Sequence, residues 1–160
     1  MLNTFITIGI VVLMVAIFVK INKPHNPQPN YNSNDGFKSS VWGPIIWFGL
    51  HIISFNYPVN PTASDKKHYK DFLLSYQHTL PCVYCRNNFK SNLIEAGFSP
   101  GVFNNRDTFS RFIYNLHNCI NKMLGKDVNI SYEEVRDIYE AHRATSCYKK
   151  NKYLSKGICQ

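Results

Sequence analysis

Cysteine is scarce in this 160-residue chain, with five residues at positions 82, 85, 119, 147 and 159. That is too few for a scaffold held together by disulfides. The odd number leaves one thiol free or pairs it between chains. No stretch alternates apolar and polar residues well enough to build a sheet, and no glycine-rich loop is available to cradle phosphates. The fold expected is therefore all-α. Acidic residues are also few, 10 against 18 Lys and Arg, giving a formal charge of +8. The cations are scattered except at Lys149, Lys150, Lys152 and Lys156, which read as a solvated basic tail, so no nucleic-acid partner is expected.

Charge is absent altogether from Met1 to Val19. The run from Phe5 to Val19 is almost wholly apolar, and roughly 19 residues of helix reach about 28 Å, close to the hydrocarbon thickness of a bilayer. A cleaved signal peptide needs a basic leader and small residues at its cleavage site, and Lys20-Ile21-Asn22-Lys23 follows the run instead. The expectation is an uncleaved single-pass membrane anchor over residues 1–23. Lys20 and Lys23 place the remaining domain on the cytosolic side. Residues 24–39, rich in Pro, Asn and Ser, read as a linker. A domain follows over 40–147 and a polar tail over 148–160.

What is present is helical periodicity. Val41 to Phe55 is apolar all round and reads as a buried helix, with Trp47 and His51 one turn apart on a shared face. A second helix is expected from about Pro61 to Thr79, capped by Ser64, with Tyr69, Phe72, Leu73 and Tyr76 as its apolar stripe. A third spans about Cys82 to Ala96 and stops at Gly97. Phe98 to Arg106 reads as a loop. A fourth helix, Thr108 to Leu124, is expected to be capped by Asp107 and stopped by Gly125. Phe109, Phe112, Ile113, Leu116, Ile120 and Met123 face its core side. Tyr114, His117, Asn118 and Asn121 make a second stripe that carries hydrogen-bonding and stacking groups but no charge, as a ligand-facing surface would. The fifth helix, Ser131 to Ala144, opens with a Ser131/Glu134 capping box and turns Val135, Ile138, Tyr139 and His142 inward. These elements predict a four-helix bundle with a short fifth helix.

Leu80-Pro81-Cys82-Val83-Tyr84-Cys85 organises the chemistry. Cys82 falls at a helix N-terminus, where free N–H groups and the positive end of the macrodipole lower a thiol's pKa. Alone, a Cys-x-x-Cys is a redox pair, a chance spacing or half of a zinc site, which Cys147 and Cys159 would complete. A thioredoxin-like oxidoreductase would need strands around the motif, and helices flank it here.

Three separated segments settle on one pattern. Trp42-Gly43-Pro44…Trp47…Leu50-His51…Tyr57-Pro58, then Pro81-Cys82-x-x-Cys85, then His117-Asn118-Cys119-Ile120-Asn121-Lys122-Met123-Leu124-Gly125-Lys126 resemble the FAD-linked sulfhydryl oxidases of the Erv/ALR type over about residues 40–147. The resemblance implies a small helical bundle, usually a homodimer, that binds FAD and oxidises dithiols of thioredoxin-like or virion proteins, with O₂ as acceptor and H₂O₂ as product. It implies that Cys82 is the sulfur attacked by incoming thiols and Cys85 the flavin-proximal one. It further implies that Gly43, Trp47, His51, Cys85, His117, Asn118 and Asn121 contact the cofactor, that Lys122 and Lys126 lie near its phosphates, and that Tyr139 stacks on adenine. Family members carry a second, structural disulfide whose positions are Tyr114 and Ser131 here, so that bridge cannot form. Cys119, at the variable position of the His-Asn block, reads as a buried free thiol. Members with a short anchor before the domain serve a cytoplasmic disulfide pathway in large DNA viruses, and the Asn-, Lys-, Ile- and Tyr-rich composition suits an AT-rich genome of that kind. The membrane would then be a host or virion membrane. Cys147 and Cys159 are candidates for a shuttle disulfide on a flexible tail, the rival being that Cys147 ties the fifth helix to another subunit.

Overall fold

The computed structural model describes residues 30, 32–126 and 128–144. The chain divides into two units, residues 1–33 and 34–160. The expected anchor, Cys147 and Cys159 lie outside the described residues. Among those residues, no helix is long and apolar enough to cross a membrane.

The second unit is helical. Helix α1 runs Ser39–Phe55. It does not bury its whole surface. Leu50, His51, Ser54 and Phe55 turn inward, while Val41, Ile45 and Phe48 stay largely exposed at i, i+4 and i+7. The physical reason is one-sided cover: α1 packs on the fourth and fifth helices and nothing described here lies over its other flank.

Helix α2, Ala63–Thr79, is capped by Thr62 rather than Ser64. Thr62 is extended and accepts from the Asp65 N–H, and the Asp65 carboxylate accepts from the Thr62 N–H, a reciprocal pair that Ser64, already inside the helix, cannot form. Helix α3, Val83–Glu95, takes Cys82 as its N-cap. The segment read as a loop instead holds a 3₁₀ turn, Pro100–Phe103, whose Val102 and Phe103 are buried. Helix α4, Arg106–Met123, is capped by Asn105 with Thr108, not by Asp107, which sits in the first turn and pairs with Arg111. It stops where Gly125 adopts φ 65°, a left-handed turn that costs a glycine little. Helix α5, Tyr132–Glu140, has the expected Ser131/Glu134 box but ends four residues early. Tyr132 and Val135 face in, Tyr139 is half-buried and Ile138 half exposed, whereas His142 is exposed, a correction that follows from α5 meeting α1 and α4 along a narrow stripe.

The core lies between α1, α2, α3 and α4, and Leu73, Ile113, Leu116, Phe109 and Tyr57 are essentially without exposed surface. Its polar groups are matched. Tyr57 donates its hydroxyl to the Phe103 carbonyl at 2.9 Å, and the Arg106 side chain donates to the Tyr57 carbonyl at 2.6 Å. Phe109, Phe112, Ile113 and Leu116 fill the centre as periodicity demands, while Met123 remains 42 % exposed at the helix end. Tyr114 donates to the Ile130 carbonyl at 2.8 Å and meets the Tyr132 ring edge-on, so α4 is tied to the lead-in of α5 without a covalent bond.

Candidate active site

Cys82 and Cys85 are joined in a disulfide, with Cα atoms 5.2 Å apart. The local sequence dictates where it sits. Pro81 cannot continue α2, Cys82 is extended at φ −157° and ψ 118°, and α3 begins at Val83. The Cys82 sulfur accepts from the Cys85 N–H at 3.1 Å, the geometry that stabilises a thiolate at a helix N-terminus. Behind it the Leu80 carbonyl accepts both the Cys82 N–H and the Arg86 guanidinium. Cys85 packs against the core cluster beside Trp42, Ile46 and Trp47.

The disulfide forms one wall of a cleft of about 540 Å³. Gly43 and Trp47 from α1, His117 and Asn121 from α4, Lys126 after it and Tyr139 from α5 complete its lining. His117, Asn121 and Tyr139 also line a smaller cavity of about 200 Å³ with His51, Tyr114 and Asn118. Asn121 and Lys126 also border a third, of about 470 Å³, with Asn118 and Lys122. The three cavities share walls, and every described candidate site residue lines at least one of them. The uncharged stripe of α4, Tyr114, His117, Asn118 and Asn121, borders the middle cavity in full.

Two imidazoles stand at the junction. His117 stacks on Trp47 with centroids 4.0 Å apart, and His51 lies over Tyr139 at 4.9 Å. The His51 Nε2 and His117 Nδ1 are 3.1 Å apart, so one ring donates and the other accepts. Burial, aided by the neighbouring His117, pulls the His51 pKa down to about 4. Burial and the Lys126 charge pull His117 down to about 4 as well. Both rings are therefore neutral at pH 7. The His51 Nδ1 is buried with no hydrogen-bond partner among the described residues. Burying a polar group unpaired is costly, and an atom left so beside a cavity fits a ligand that completes it.

The structure also adds residues that the sequence reading missed. Tyr84 projects beside the disulfide and Asn92 is buried in the same cleft. Cys85, Phe89 and Asn92 follow i, i+4, i+7, so helical spacing from the motif identifies Asn92. Phe48, Leu80 and Tyr76 line the cleft as well. Cys119, expected to be buried, is only half-buried; it is free among the described residues, and burial raises its thiol pKa.

The model of the Erv1 / Alr family matches residues 44–140. The chain belongs to the Erv1 / Alr family. A probable FAD-linked sulfhydryl oxidase of Acanthamoeba polyphaga mimivirus is 31% identical over 112 residues, covering 70% of this chain and 76% of that protein. An FAD-linked sulfhydryl oxidase of African swine fever virus is 32% identical over 99 residues, covering 62% of this chain and 80% of its own. Among solved structures, the FAD-binding domain of Erv1 from Saccharomyces cerevisiae matches with a TM-score of 0.58 and 25% identity, over 66% of this chain and 96% of that one. The Erv1 / Alr match begins at Pro44 and ends at Glu140, so it contains the disulfide and the whole His117–Lys126 block.

Proposed function

We infer that this chain is an FAD-dependent thiol oxidase that makes disulfide bonds in substrate proteins. The observation that carries the reading is the disulfide at the N-terminus of α3, set on the wall of an aromatic cleft that continues to the His117–Lys126 block. The residues suit a flavin. Trp47, His117 and Tyr139 offer ring faces, Asn118, Asn121 and the open His51 Nδ1 offer uncharged hydrogen-bonding groups, and Lys122 and Lys126 offer charge for a diphosphate. Gly43 leaves open space on the cleft side of α1. A zinc-binding reading is disfavoured because Cys82 and Cys85 are spent on each other, and a thioredoxin-like reading because helices flank the motif.

The chain's own residues account for the thiol chemistry. An incoming substrate thiolate attacks the Cys82 sulfur, the bond to Cys85 breaks, and Cys85 leaves as a thiolate on the core side. The second substrate thiolate attacks the substrate sulfur of the mixed disulfide and releases Cys82. The helix N-terminus and the Cys85 N–H favour this leaving group. FAD, when bound, accepts the electron pair from the reduced cysteines and passes it to O₂, giving H₂O₂. The neutral His51–His117 pair orients groups in the cleft without adding charge. Purified protein should be yellow and consume O₂ with a small dithiol. Folded, colourless protein that stays inert with added FAD would overturn the reading.

Finer features belong to the same proposal. The apolar run before Val19 supports a single-pass anchor with the domain on the cytosolic side of a host or virion membrane. Membrane fractionation with and without residues 1–23 checks it. Viral relatives and the composition support a large DNA virus as the source. The exposed apolar residues Val41 and Ile45 on α1 support a homodimer, and the mass in solution decides. Cys147 and Cys159 are proposed as a shuttle pair for protein dithiols. Cys159→Ser should then slow a reduced protein substrate far more than a small dithiol, and equal slowing would remove the shuttle.

A further inference from the structure

The residues just ahead of α1 do more than lead into it. The Phe37 N–H donates to the Pro81 carbonyl at 2.7 Å, and Gly36 forms an antiparallel bridge with Cys82, the only β pairing among the described residues outside a strand. The contact is fitted to glycine twice over. Gly36 has φ 84°, where a side chain is strained, and a Cβ on it would lie 2.4 Å from the Pro81 oxygen and 2.9 Å from the Pro81 carbonyl carbon. That obstacle is backbone, which cannot swing aside. The other side of the strap is held too. The Trp42 indole N–H donates to the Phe37 carbonyl at 2.9 Å. Trp42 also lines the disulfide cleft.

We propose that Gly36–Trp42 is a strap that positions the redox disulfide, with the Phe37 N–H as its working contact. Two consecutive carbonyls precede Cys82. Leu80 is fixed from the domain side by Arg86, and Pro81 is fixed from the strap side by Phe37. With both peptide planes held, Cys82 keeps the extended conformation that aims its sulfur at the Cys85 N–H. The strap acts through that conformation and touches no substrate. Its effect falls on the step in which the second substrate thiolate forms the substrate disulfide and expels Cys82 as a thiolate. A lower Cys82 pKa makes it the better leaving group. The electron pair stays on the enzyme cysteines and both substrate protons go to solvent, so the step balances within the thiol-oxidase reading on which this proposal rests.

The test uses the full chain and separates the amide from the side chain. Phe37→Pro deletes the N–H, whereas Phe37→Ala deletes only a side chain that is 75 % exposed. Gly36→Val adds the obstructed Cβ as an independent break. Each protein is reduced anaerobically, and the pH profile of iodoacetamide alkylation at Cys82 is read by fragment-ion mass spectrometry. Phe37→Pro and Gly36→Val should raise the Cys82 pKa by about one unit, a roughly tenfold loss of thiolate at pH values below it. Phe37→Ala should match the unaltered chain. Melting temperature and flavin content should be retained in Phe37→Pro. An unchanged Cys82 profile in folded Phe37→Pro overturns the strap, as does an equal shift in Phe37→Ala. If Gly36→Val does not fold, the Pro/Ala pair decides alone. A profile shifted in folded Phe37→Pro but not in Phe37→Ala upholds the strap even if the oxidase reading fails, because this readout needs neither flavin nor turnover.

Discussion

The two ends of the bundle are built on opposite terms. At the closed end, around Tyr57, Phe103 and Phe109, rings interlock, no surface is left and each buried polar group named there has its partner. At the open end, around Trp47, His51 and His117, the same kinds of ring line cavities, and one buried nitrogen is left unmatched. The difference teaches how a small chain divides its work. Stability is concentrated where α2, the 3₁₀ turn and α4 meet, which frees the facing parts of α1, α3 and α5 to enclose a ligand.

Breaking the open end should silence the chemistry and spare the fold. Cys85→Ser removes the sulfur that packs toward the core, and turnover with any dithiol should fall to the detection limit. Circular dichroism and a cooperative melt should persist. Residual oxidase activity in that variant would mean that Cys82 alone reaches the acceptor. The complementary break is Phe109→Ala at the closed end, where the side chain is 1 % exposed. It should cost about 3–5 kcal/mol of stability in denaturant titrations while leaving turnover per bound flavin nearly unchanged. A loss of specific turnover as large as the loss of stability would show that the two ends are not separable.

A smaller effect sharpens the contrast through pH. Both open-end imidazoles have folded pKa values of about 4, against 6.5 for an ordinary imidazole. The unfolded chain therefore binds protons first as the pH drops. The contribution of the neutral pair is complete above about pH 6.5 and is lost as pH falls toward 4. Each lowering is worth up to about 3 kcal/mol, so the loss for the pair is on the order of several kcal/mol at most. Denaturant titrations at pH 7.5 and 4.5 measure it, and His51→Phe should reduce the drop. A drop of the same size in that variant would place its source elsewhere.

The closed end was legible in the sequence because it obeys periodicity. Phe109, Phe112, Ile113 and Leu116 announce their face, and Gly97 and Gly125 announce the stops. Caps were less legible, since Thr62, Ser64 and Asp65 are all plausible capping residues and only backbone angles decide among them. The open end was legible through its polar stripe on α4 and through the resemblance, which together named the polar groups of the cavities on α4 but missed Tyr84, Asn92 and much of the apolar lining. What could not be read was tertiary. Val41 and Ile45 have the composition of buried residues, and nothing local says that α1 is covered on one side only. Gly36 and Phe37 look like the end of a linker, because their partners lie more than forty residues away.

Tyr114 and its bond to the Ile130 carbonyl occupy the place where the family resemblance calls for a covalent bridge. A hydrogen bond and a ring contact are indifferent to reductant. A thiol oxidase works among thiols that would reduce a cystine brace, and among this chain's described residues only the Cys82–Cys85 disulfide is open to them. Reduction of the Cys82–Cys85 bond therefore leaves the tie between Tyr114 and Ile130 chemically untouched. That makes the join between α4 and the lead-in of α5 independent of the thiol–disulfide exchange the oxidase carries out.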